Sequence, residues 1–222
     1  MIELKHDLIL LCEGSHDKLF FSELTSRPGV PKFDIPFPTD RLHGSSAFGG
    51  MLTALLGAGQ PFQSARGVLL VADSTDDPSK VFGSIRRQIQ AAGAFPLPTR
   101  LGEVALGNQG FPAIQVATLP EDTRAGCLET LYVEELERSH GGLKTCIEAF
   151  LRCDSIEAFR WPIEKADKAR FHALAAALHK NNPGRAAPEI FKGRPPLISI
   201  SAGIFDPVVQ RLREFDARAR RV

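Results

Sequence analysis

Two acidic residues stand where strand-like apolar runs end. Glu13 follows the run Leu8–Cys12, and Asp73 follows the run Gly67–Ala72. In a parallel sheet the ligand site lies beyond the carboxyl ends of the strands, so both acids are expected in one crevice. Two carboxylates there repel each other, and a hard divalent cation such as Mg²⁺ relieves the repulsion. The sequence therefore predicts a metal site that contains Glu13 and Asp73.

Simpler explanations remain open for these acids and for two of their neighbours. Asp77 precedes a proline, which is typical of a helix N-cap followed by proline at the first helical position. Asp17 stands in the first turn of a predicted helix, where the helix dipole favours an acid. Glu13 and Asp73 could themselves be exposed acids at strand ends. Gly14 is expected to let the chain turn sharply and to keep Glu13 uncovered.

The elements that must position these acids alternate between strand and helix. Apolar residues at helical spacing follow Glu13 and Asp77, and a weaker helical pattern covers Ser45–Leu56. A third strand-like run, Ala113–Thr118, has prolines near both ends. This alternation predicts an α/β fold in which crossover helices flank a parallel sheet.

The second half of the chain is predicted to be mostly helical. Asn181–Pro196, which is rich in proline, glycine and asparagine, is expected to form an irregular loop. We expect an α/β core over residues 1–125 and a helical extension over residues 126–222 that packs on the core. The predicted helices of the extension are Leu128–Leu136, Leu143–Cys153, Ala166–His179 and Asp206–Phe215.

Composition excludes several classes of protein. With 43% hydrophobic residues, 24% charged residues and a net charge of +1, the chain is typical of globular proteins and has no overall excess of charge for nucleic acid or membrane. No run approaches the roughly 18 apolar residues that a membrane span needs. The four cysteines form no C-x-x-C pair. We expect a cytoplasmic protein with reduced thiols and no membrane partner.

The two acidic segments resemble the motifs of Toprim domains. Cys12-Glu13-Gly14-Ser15-His16-Asp17 is similar to the E-G-x-x-D motif, and Val71–Pro78 is similar to the second, D-x-D-type motif. The wider pattern resembles the uncharacterised DUF3226 family, which is Toprim-like and related to the OLD nucleases. Thr75 departs from the pattern, because it replaces the second aspartate of D-x-D and removes a charge from the expected site. The later segments that match are Gly126-Cys127-Leu128-Glu129 and Lys168-Ala169-Arg170-Phe171-His172-Ala173.

The resemblance implies a Toprim-like parallel sheet flanked by helices, with a mostly helical C-terminal part, and it implies roles for six residues. Glu13 would be a metal ligand or a general acid/base. Glu129 would support a second ion, as acids do in OLD-type nucleases, or would be a solvated helix acid. Lys168 would neutralise charge in a phosphoryl-transfer transition state, or would be a solvated helix residue. The residues implied around a first Mg²⁺ or Mn²⁺ ion are Glu13, Asp17, Asp73 and Asp77.

The function that the resemblance implies is a Mg²⁺-dependent phosphodiester hydrolase or transferase acting on DNA or RNA. A second function is a non-catalytic module that binds metal weakly or not at all and works through a protein partner. Thr75 and the lack of the ATPase motif of OLD-type proteins favour that alternative. A third function is the hydrolysis of a nucleotide or another small phosphoester.

Two further segments are weaker candidates for contact with phosphate. The segment His43-Gly44-Ser45-Ser46 matches neither a P-loop nor a nucleophile elbow, and we expect a turn whose serine caps the next helix. A cluster of C-terminal arginines could follow a phosphate backbone or could serve solubility alone. Its members are Arg211, Arg213, Arg218, Arg220 and Arg221.

Overall fold

A mixed four-stranded sheet lies at the centre of the part of the chain that the computed structural model describes, which comprises residues 3–39, 41–59, 62, 64–107, 111–179, 190–191 and 196–220. The strand order is β1-β2-β4-β3. Strands β1, β2 and β4 run parallel, whereas the short edge strand β3 pairs antiparallel with β4. The strands are β1 (Leu8–Cys12), β2 (Gly67–Asp73), β3 (Val104–Ala105) and β4 (Ala113–Leu119).

Helices flank this sheet, so the predicted mixed α/β class is confirmed. The antiparallel edge strand departs from the all-parallel expectation, because the chain between Phe95 and Ala113 returns to β4 without a crossover helix among the described residues. The predicted loop Asn181–Pro196 lies outside the described residues except for residues 190, 191 and 196. The helices are α1 (Ser15–Ser26), α2 (Phe48–Leu56), α3 (Pro78–Ala92), α4 (Leu128–Ser139), α5 (Gly141–Leu151), α6 (Asp154–Glu157), α7 (Ile163–Leu178) and α8 (Asp206–Ala219).

Both faces of the sheet are covered, which explains why β1 is apolar at every position and β2 is apolar up to Asp73. In β1, Leu8, Leu10 and Cys12 point into a core shared with α1, α4, α7 and α8. Ile9 and Leu11 point into a second core formed with α2 and α3. Each fully buried leucine or isoleucine contributes about 1.5–3 kcal/mol relative to an exposed one. The sheet is thereby held between two apolar layers.

The C-terminal helix α8 closes the first of these cores against β2. Gly67 leaves room for the ring of Phe215, because a Cβ atom at Gly67 would lie 2.7 Å from the Phe215 Cζ atom. Arg66, just before β2, forms ion pairs with both Asp7 and Asp216. Residues distant in sequence therefore meet at the amino end of the sheet, opposite the edge where Glu13 and Asp73 stand.

Two expectations from composition can be compared with the structure. All four cysteines are free thiols, as expected. Among the described residues, the helices are too short or too polar to traverse a lipid bilayer.

Candidate metal centre

A pocket of about 770 Å³ opens beyond the carboxyl ends of β1 and β2. Four carboxylates and one lysine converge on it from four separate segments of the chain. Its remaining wall comes from the start of α1, from the segment between α1 and α2, and from α7. The charged lining residues are Glu13, Asp17, Asp73, Glu129 and Lys168, and the others are Gly14, Ser15, His16, Pro38, Thr39, His43, Gly44 and His172.

Glu13 joins the carboxyl ends of the neighbouring strands β1 and β2. Its Oε1 atom accepts a hydrogen bond of 3.1 Å from the backbone N–H of Asp73. Burial, followed by the charge of Asp17, raises the pKa of Glu13 to about 7. Because this carboxyl is charged only in part near neutral pH, it can both hold and release a proton there.

Asp17 serves the helix and the pocket at once. Its Oδ2 atom accepts a 2.8 Å hydrogen bond from the N–H of Gly14, the residue that caps α1. The expectation that Asp17 stabilises the first turn of a helix therefore accounts for part of its role. Burial and the charge of Glu129 raise the pKa of Asp17 to about 6, although the hydrogen bond from Gly14 opposes the shift. The chain bends at Glu13 and Gly14, as expected, but the extended backbone of Gly14, with φ −128°, is one that other residues also adopt.

Asp73 connects the sheet to the helical half of the chain. Its Oδ1 atom accepts a 3.1 Å hydrogen bond from the N–H of Leu128, the first residue of α4. Its Oδ2 atom lies 3.5 Å from the Nζ atom of Lys168. Burial, followed by the charges of Asp17 and Glu13, raises the pKa of Asp73 well above the usual value for aspartate.

The turn after β2 fixes the start of α4 beside Asp73. Thr75 adopts a left-handed conformation with φ 50°, and it exchanges two backbone hydrogen bonds of 2.8 Å with Gly126. The hydroxyl of Ser74 donates to the carbonyl oxygens of Arg124 and Gly126. Thr75 is thus used for backbone pairing between the turn after β2 and the start of α4.

Asp73, Cys127 and Glu129 form a group of three potential metal ligands. One ligand atom from each lies within 4.8 Å of the other two. Glu129 is only 7% exposed, so the solvated-acid alternative is wrong. Burial, then the charges of Asp73 and Glu129, raise the pKa of the Cys127 thiol. The sequence analysis missed Cys127, although it stands two residues before Glu129 at a predicted helix start.

Lys168 is the cation that faces these acids. It forms an ion pair with Glu164 one turn earlier on α7, in addition to its contact with Asp73. Its side chain is 37% exposed, so Lys168 lies at the boundary of the pocket. It is therefore not the fully solvated helix residue of the alternative explanation. Burial lowers the pKa of Lys168, but the hydrogen bond to Glu164 and the charge of Asp73 outweigh it, so that the pKa is raised.

Asp77 is not among the residues that line the pocket. Its Oδ1 atom accepts hydrogen bonds from the N–H groups of Ser79 and Lys80, at 2.9 and 3.3 Å, and so caps α3. The capping explanation therefore accounts for its observed contacts.

The segment His43–Ser46 was expected to form a turn whose serine caps the next helix, and the structure shows a different role. Its first two residues line the pocket, and no serine side chain caps either the short 3₁₀ turn or α2. Instead the N–H of Gly44, at φ 80°, donates to the carbonyl oxygen of Glu13 at 2.8 Å. The sequence did not predict that His43 and Gly44 line the pocket, because the contact between Gly44 and Glu13 joins residues 31 positions apart.

Several of the C-terminal arginines are engaged within the protein. Arg211 donates to the carbonyl oxygen of Thr118 and lies 3.4 Å from Asp122. Arg213 donates to the carbonyl oxygen of Gly29, and Arg220 pairs with Asp216 on its own helix. Arg221 lies outside the described residues. These contacts give the arginines structural roles and weaken the argument from a free basic tail.

Comparison with known proteins identifies the family of this chain. No curated protein and no solved structure matches the chain significantly. The profile of the family DUF3226, described as a protein of unknown function, matches residues 7–215. The matched range contains every charged residue that lines the pocket. Because the match spans nearly the whole chain, this protein belongs to the DUF3226 family.

Proposed function

We propose that the protein is a phosphodiester hydrolase or transferase that depends on Mg²⁺ or Mn²⁺ and acts on nucleic acid. The observation that carries the proposal is the convergence of Glu13, Asp17, Asp73 and Glu129 on one pocket beyond the carboxyl ends of parallel strands. Among the described residues that line the pocket, Lys168 supplies the one lysine or arginine charge that faces these four carboxylates. Such a cluster of negative charge is stabilised when a divalent cation enters it.

The donor atoms suit the proposed ion. Carboxylate oxygens are the ligands that Mg²⁺ and Mn²⁺ prefer, and they are available here on two helices and one strand end. Asp17, Asp73 and Glu129 would hold the cation. A bound cation of this kind supplies charge neutralisation to a phosphoryl group and activates water. Asp77, which caps α3, has no part in this arrangement.

Glu13 is the proposed general acid/base. A catalytic acid or base works best when its pKa lies near the operating pH, and burial raises the pKa of Glu13 to about 7. The hydrogen bond from the N–H of Asp73 fixes the Oε1 atom of its carboxyl at the pocket. Glu13 would take a proton from the attacking nucleophile or return one to the leaving oxygen.

Lys168 is the proposed partner for the phosphoryl oxygens. The acids around it keep its ammonium group charged, because they raise its pKa. Its contact with Asp73 is long enough, at 3.5 Å, to be exchanged for a phosphate oxygen. The lysine would then neutralise charge that develops on the reacting phosphate.

Two observations favour the alternatives. The backbone pairing of Thr75 with Gly126 supports a non-catalytic module, since the second acidic motif position is used for structure. The volume of the pocket, about 770 Å³, suits a ligand of nucleotide size and supports a small phosphoester as substrate.

A cleavage assay with Mn²⁺ or Mg²⁺ tests the proposal. It offers single-stranded, duplex and supercoiled DNA, RNA, and a small phosphodiester to three samples: parent protein, Glu13→Gln and chelator-treated parent. Glu13→Gln keeps the shape of the side chain but removes its charge, and loss of a general acid/base costs about 10² to 10⁴ in rate. The matched control is Glu214→Gln, which alters an exposed carboxylate on α8.

We expect metal-dependent cleavage by the parent and by Glu214→Gln, and almost none by Glu13→Gln. A parent that binds Mn²⁺ but cleaves no substrate would support the non-catalytic module. Cleavage of the small phosphodiester alone would support the third function. Activity that survives in Glu13→Gln would remove Glu13 from the mechanism.

A further inference from the structure

Two exposed aromatic rings stack on each other immediately before α7. The ring centroids of Phe159 and Trp161 lie 5.8 Å apart, and the ring planes are inclined by 21°. Phe159 is 64% exposed and Trp161 is 39% exposed, and Ile163, two residues later, is exposed as well. Single exposed apolar residues need no explanation, whereas neighbouring ones mark a binding surface. The stacked pair therefore requires an account that packing within this chain does not give.

A cation stands between the two aromatic residues in the sequence. Arg160 is exposed, and within the described part of the chain its guanidinium group forms neither an ion pair nor a hydrogen bond. Its backbone has φ 45°, a left-handed conformation that residues with a side chain rarely adopt. Such conformations are costly and cluster at active sites and ligand clamps. A free positive charge thus accompanies the exposed rings.

We propose that Phe159, Arg160 and Trp161, here called the aromatic platform, bind single-stranded nucleic acid. Bases stack on the two rings, and a phosphate of the same strand pairs with the guanidinium group of Arg160. Rings for the bases and a cation for the backbone are the two parts from which single-strand binding sites are built. The inference deepens the proposed function and rests on it, because it names the class of nucleic acid that the pocket would receive.

The aromatic platform lies beside the pocket. Glu164, in the first turn of α7, pairs with Lys168, which lines the pocket. The carbonyl oxygen of Glu164 also lies 3.8 Å from the sulfur of Cys127, next to the start of α4. The three residues from Trp161 to Glu164 span at most about 11 Å. A strand whose bases lie on the platform can therefore place a neighbouring phosphate at the pocket.

The geometry favours single strands over duplexes and over a lipid surface. Every base has a face on which an aromatic ring can stack, but in a duplex those faces are already covered by neighbouring bases. The pocket volume of about 770 Å³ suits one nucleotide. A helix that lies in a lipid interface carries a long apolar face and many cations. The platform, by contrast, is a short non-helical segment with one cation.

Tryptophan fluorescence tests the inference directly, because Trp161 is the only tryptophan of the chain. The full-length protein, kept free of metal by a chelator so that no strand is cut, is titrated with an oligothymidylate of about 16 nucleotides. Parallel titrations use an oligouridylate and a blunt DNA duplex of the same length. We expect both single strands to quench the fluorescence until it saturates, and the duplex to bind more weakly than either.

Variants of the aromatic platform are compared by the anisotropy of a labelled oligothymidylate. Phe159→Ala and Trp161→Ala should each weaken binding by about 5- to 150-fold, as the loss of one base-stacking contact does. Trp161→Phe should keep most of the affinity, since it retains a ring. Arg160→Gln should make the affinity less dependent on salt, since one phosphate contact is lost. Circular dichroism checks that each variant is folded.

The matched control is Phe111→Ala, which removes an exposed ring two residues before β4, at the opposite edge of the sheet, and should bind as the parent does. Parent affinity in Phe159→Ala and Trp161→Ala would overturn the inference. Equal binding of the duplex would overturn it as well. So would a fluorescence change that requires anionic lipid vesicles, another protein or self-association of this chain. Single-strand binding without cleavage contradicts only the nuclease proposal, and cleavage that is unaffected by loss of both rings contradicts only this inference.

Discussion

Opposing effects act on the charge of the Asp73 carboxylate. The N–H of Leu128 and the ammonium group of Lys168 both favour its charged form, whereas its burial and the charges of Asp17 and Glu13 oppose that form. The opposing effects are larger, since the pKa of Asp73 is raised. A cation would reverse this balance, because it replaces repulsion among the acids by attraction.

The first prediction concerns Asp73 and its matched control. Asp73→Asn should weaken Mn²⁺ binding by roughly tenfold or more, since even residues that only orient metal ligands cost about 10- to 100-fold when changed. Asp77→Asn should leave the affinity unchanged, because asparagine caps a helix about as well as aspartate. Isothermal titration of both variants measures the difference. Equal losses would contradict the assignment of Asp73 as a ligand.

At the level of single residues, the sequence predicted the acids of the site but not the neighbouring residue Cys127. Glu13 and Asp73 could be predicted because the end of an apolar strand is visible in the sequence, and ligand sites lie beyond the carboxyl ends of parallel strands. Cys127 could not be recognised as a neighbour of Asp73, because their proximity depends on the pairing of Thr75 with Gly126. That pairing is a backbone contact between residues 51 positions apart. Such a contact can hardly be predicted from side-chain types.

Among the elements, the turn after β2 and the start of α4 depend on one glycine. Gly126 has φ 140°, a conformation that residues with a side chain rarely adopt. A Cβ atom there would lie 2.6 Å from the Oγ1 atom of Thr130. That oxygen accepts the N–H of Cys127 at 3.0 Å and its hydroxyl lies 2.7 Å from Asp167. The conformation of this glycine therefore holds α4 against α7 as well as β2.

The second prediction follows from this glycine. Gly126→Ala should lower the free energy of unfolding by about 2–3 kcal/mol, from backbone strain and overpacking together. It should also weaken metal binding, because Cys127 and Glu129 would be displaced from Asp73. Gly141→Ala is the control, since a Cβ atom there meets nothing within 4 Å. Urea denaturation and Mn²⁺ titration measure both effects, and a Gly126→Ala protein as stable as the control would contradict the argument.

Most elements followed from local pattern, and the exceptions have physical causes. The strands β1, β2 and β4 were predicted because each is a short, largely apolar run next to turn residues, and the helices α1, α3 and α4 because each carries an apolar stripe. The antiparallel strand β3 has only two residues, too few for a periodicity. The Toprim likeness and the division at residue 125 remain predictions.

For the molecule as a whole, the acidic pocket links stability to pH. The pKa of Glu13 is about 7 in the folded protein and 4.5 in an ordinary peptide, so the folded state binds this proton more tightly. Its stabilising contribution is complete below about 4.5 and is lost as the pH rises through about 7. Asp17, with a pKa of about 6, acts in the same direction.

The third prediction compares variants across this range. Metal-free parent protein should lose stability between about pH 5 and pH 8, and Glu13→Gln should reduce that loss by on the order of 2 kcal/mol, since one pKa unit corresponds to about 1.4 kcal/mol. Glu214→Gln removes the same charge from an exposed site and should retain the parent's slope. Denaturant unfolding with a chelator present measures the slopes. Parallel slopes for parent and Glu13→Gln would show that Glu13 does not titrate in this way.

The core that joins the first strand to the last helix has a consequence for biosynthesis. Leu8 and Leu10 are buried in the same core as Leu212 and Phe215, roughly 200 residues later in the chain. At a translation rate of about 5–20 residues per second, the nascent strand precedes the helix that covers it by roughly 10–40 seconds. During that interval one face of the growing sheet is uncovered and open to aggregation. Native closure of the sheet is therefore a late event, completed only when α8 has left the ribosome.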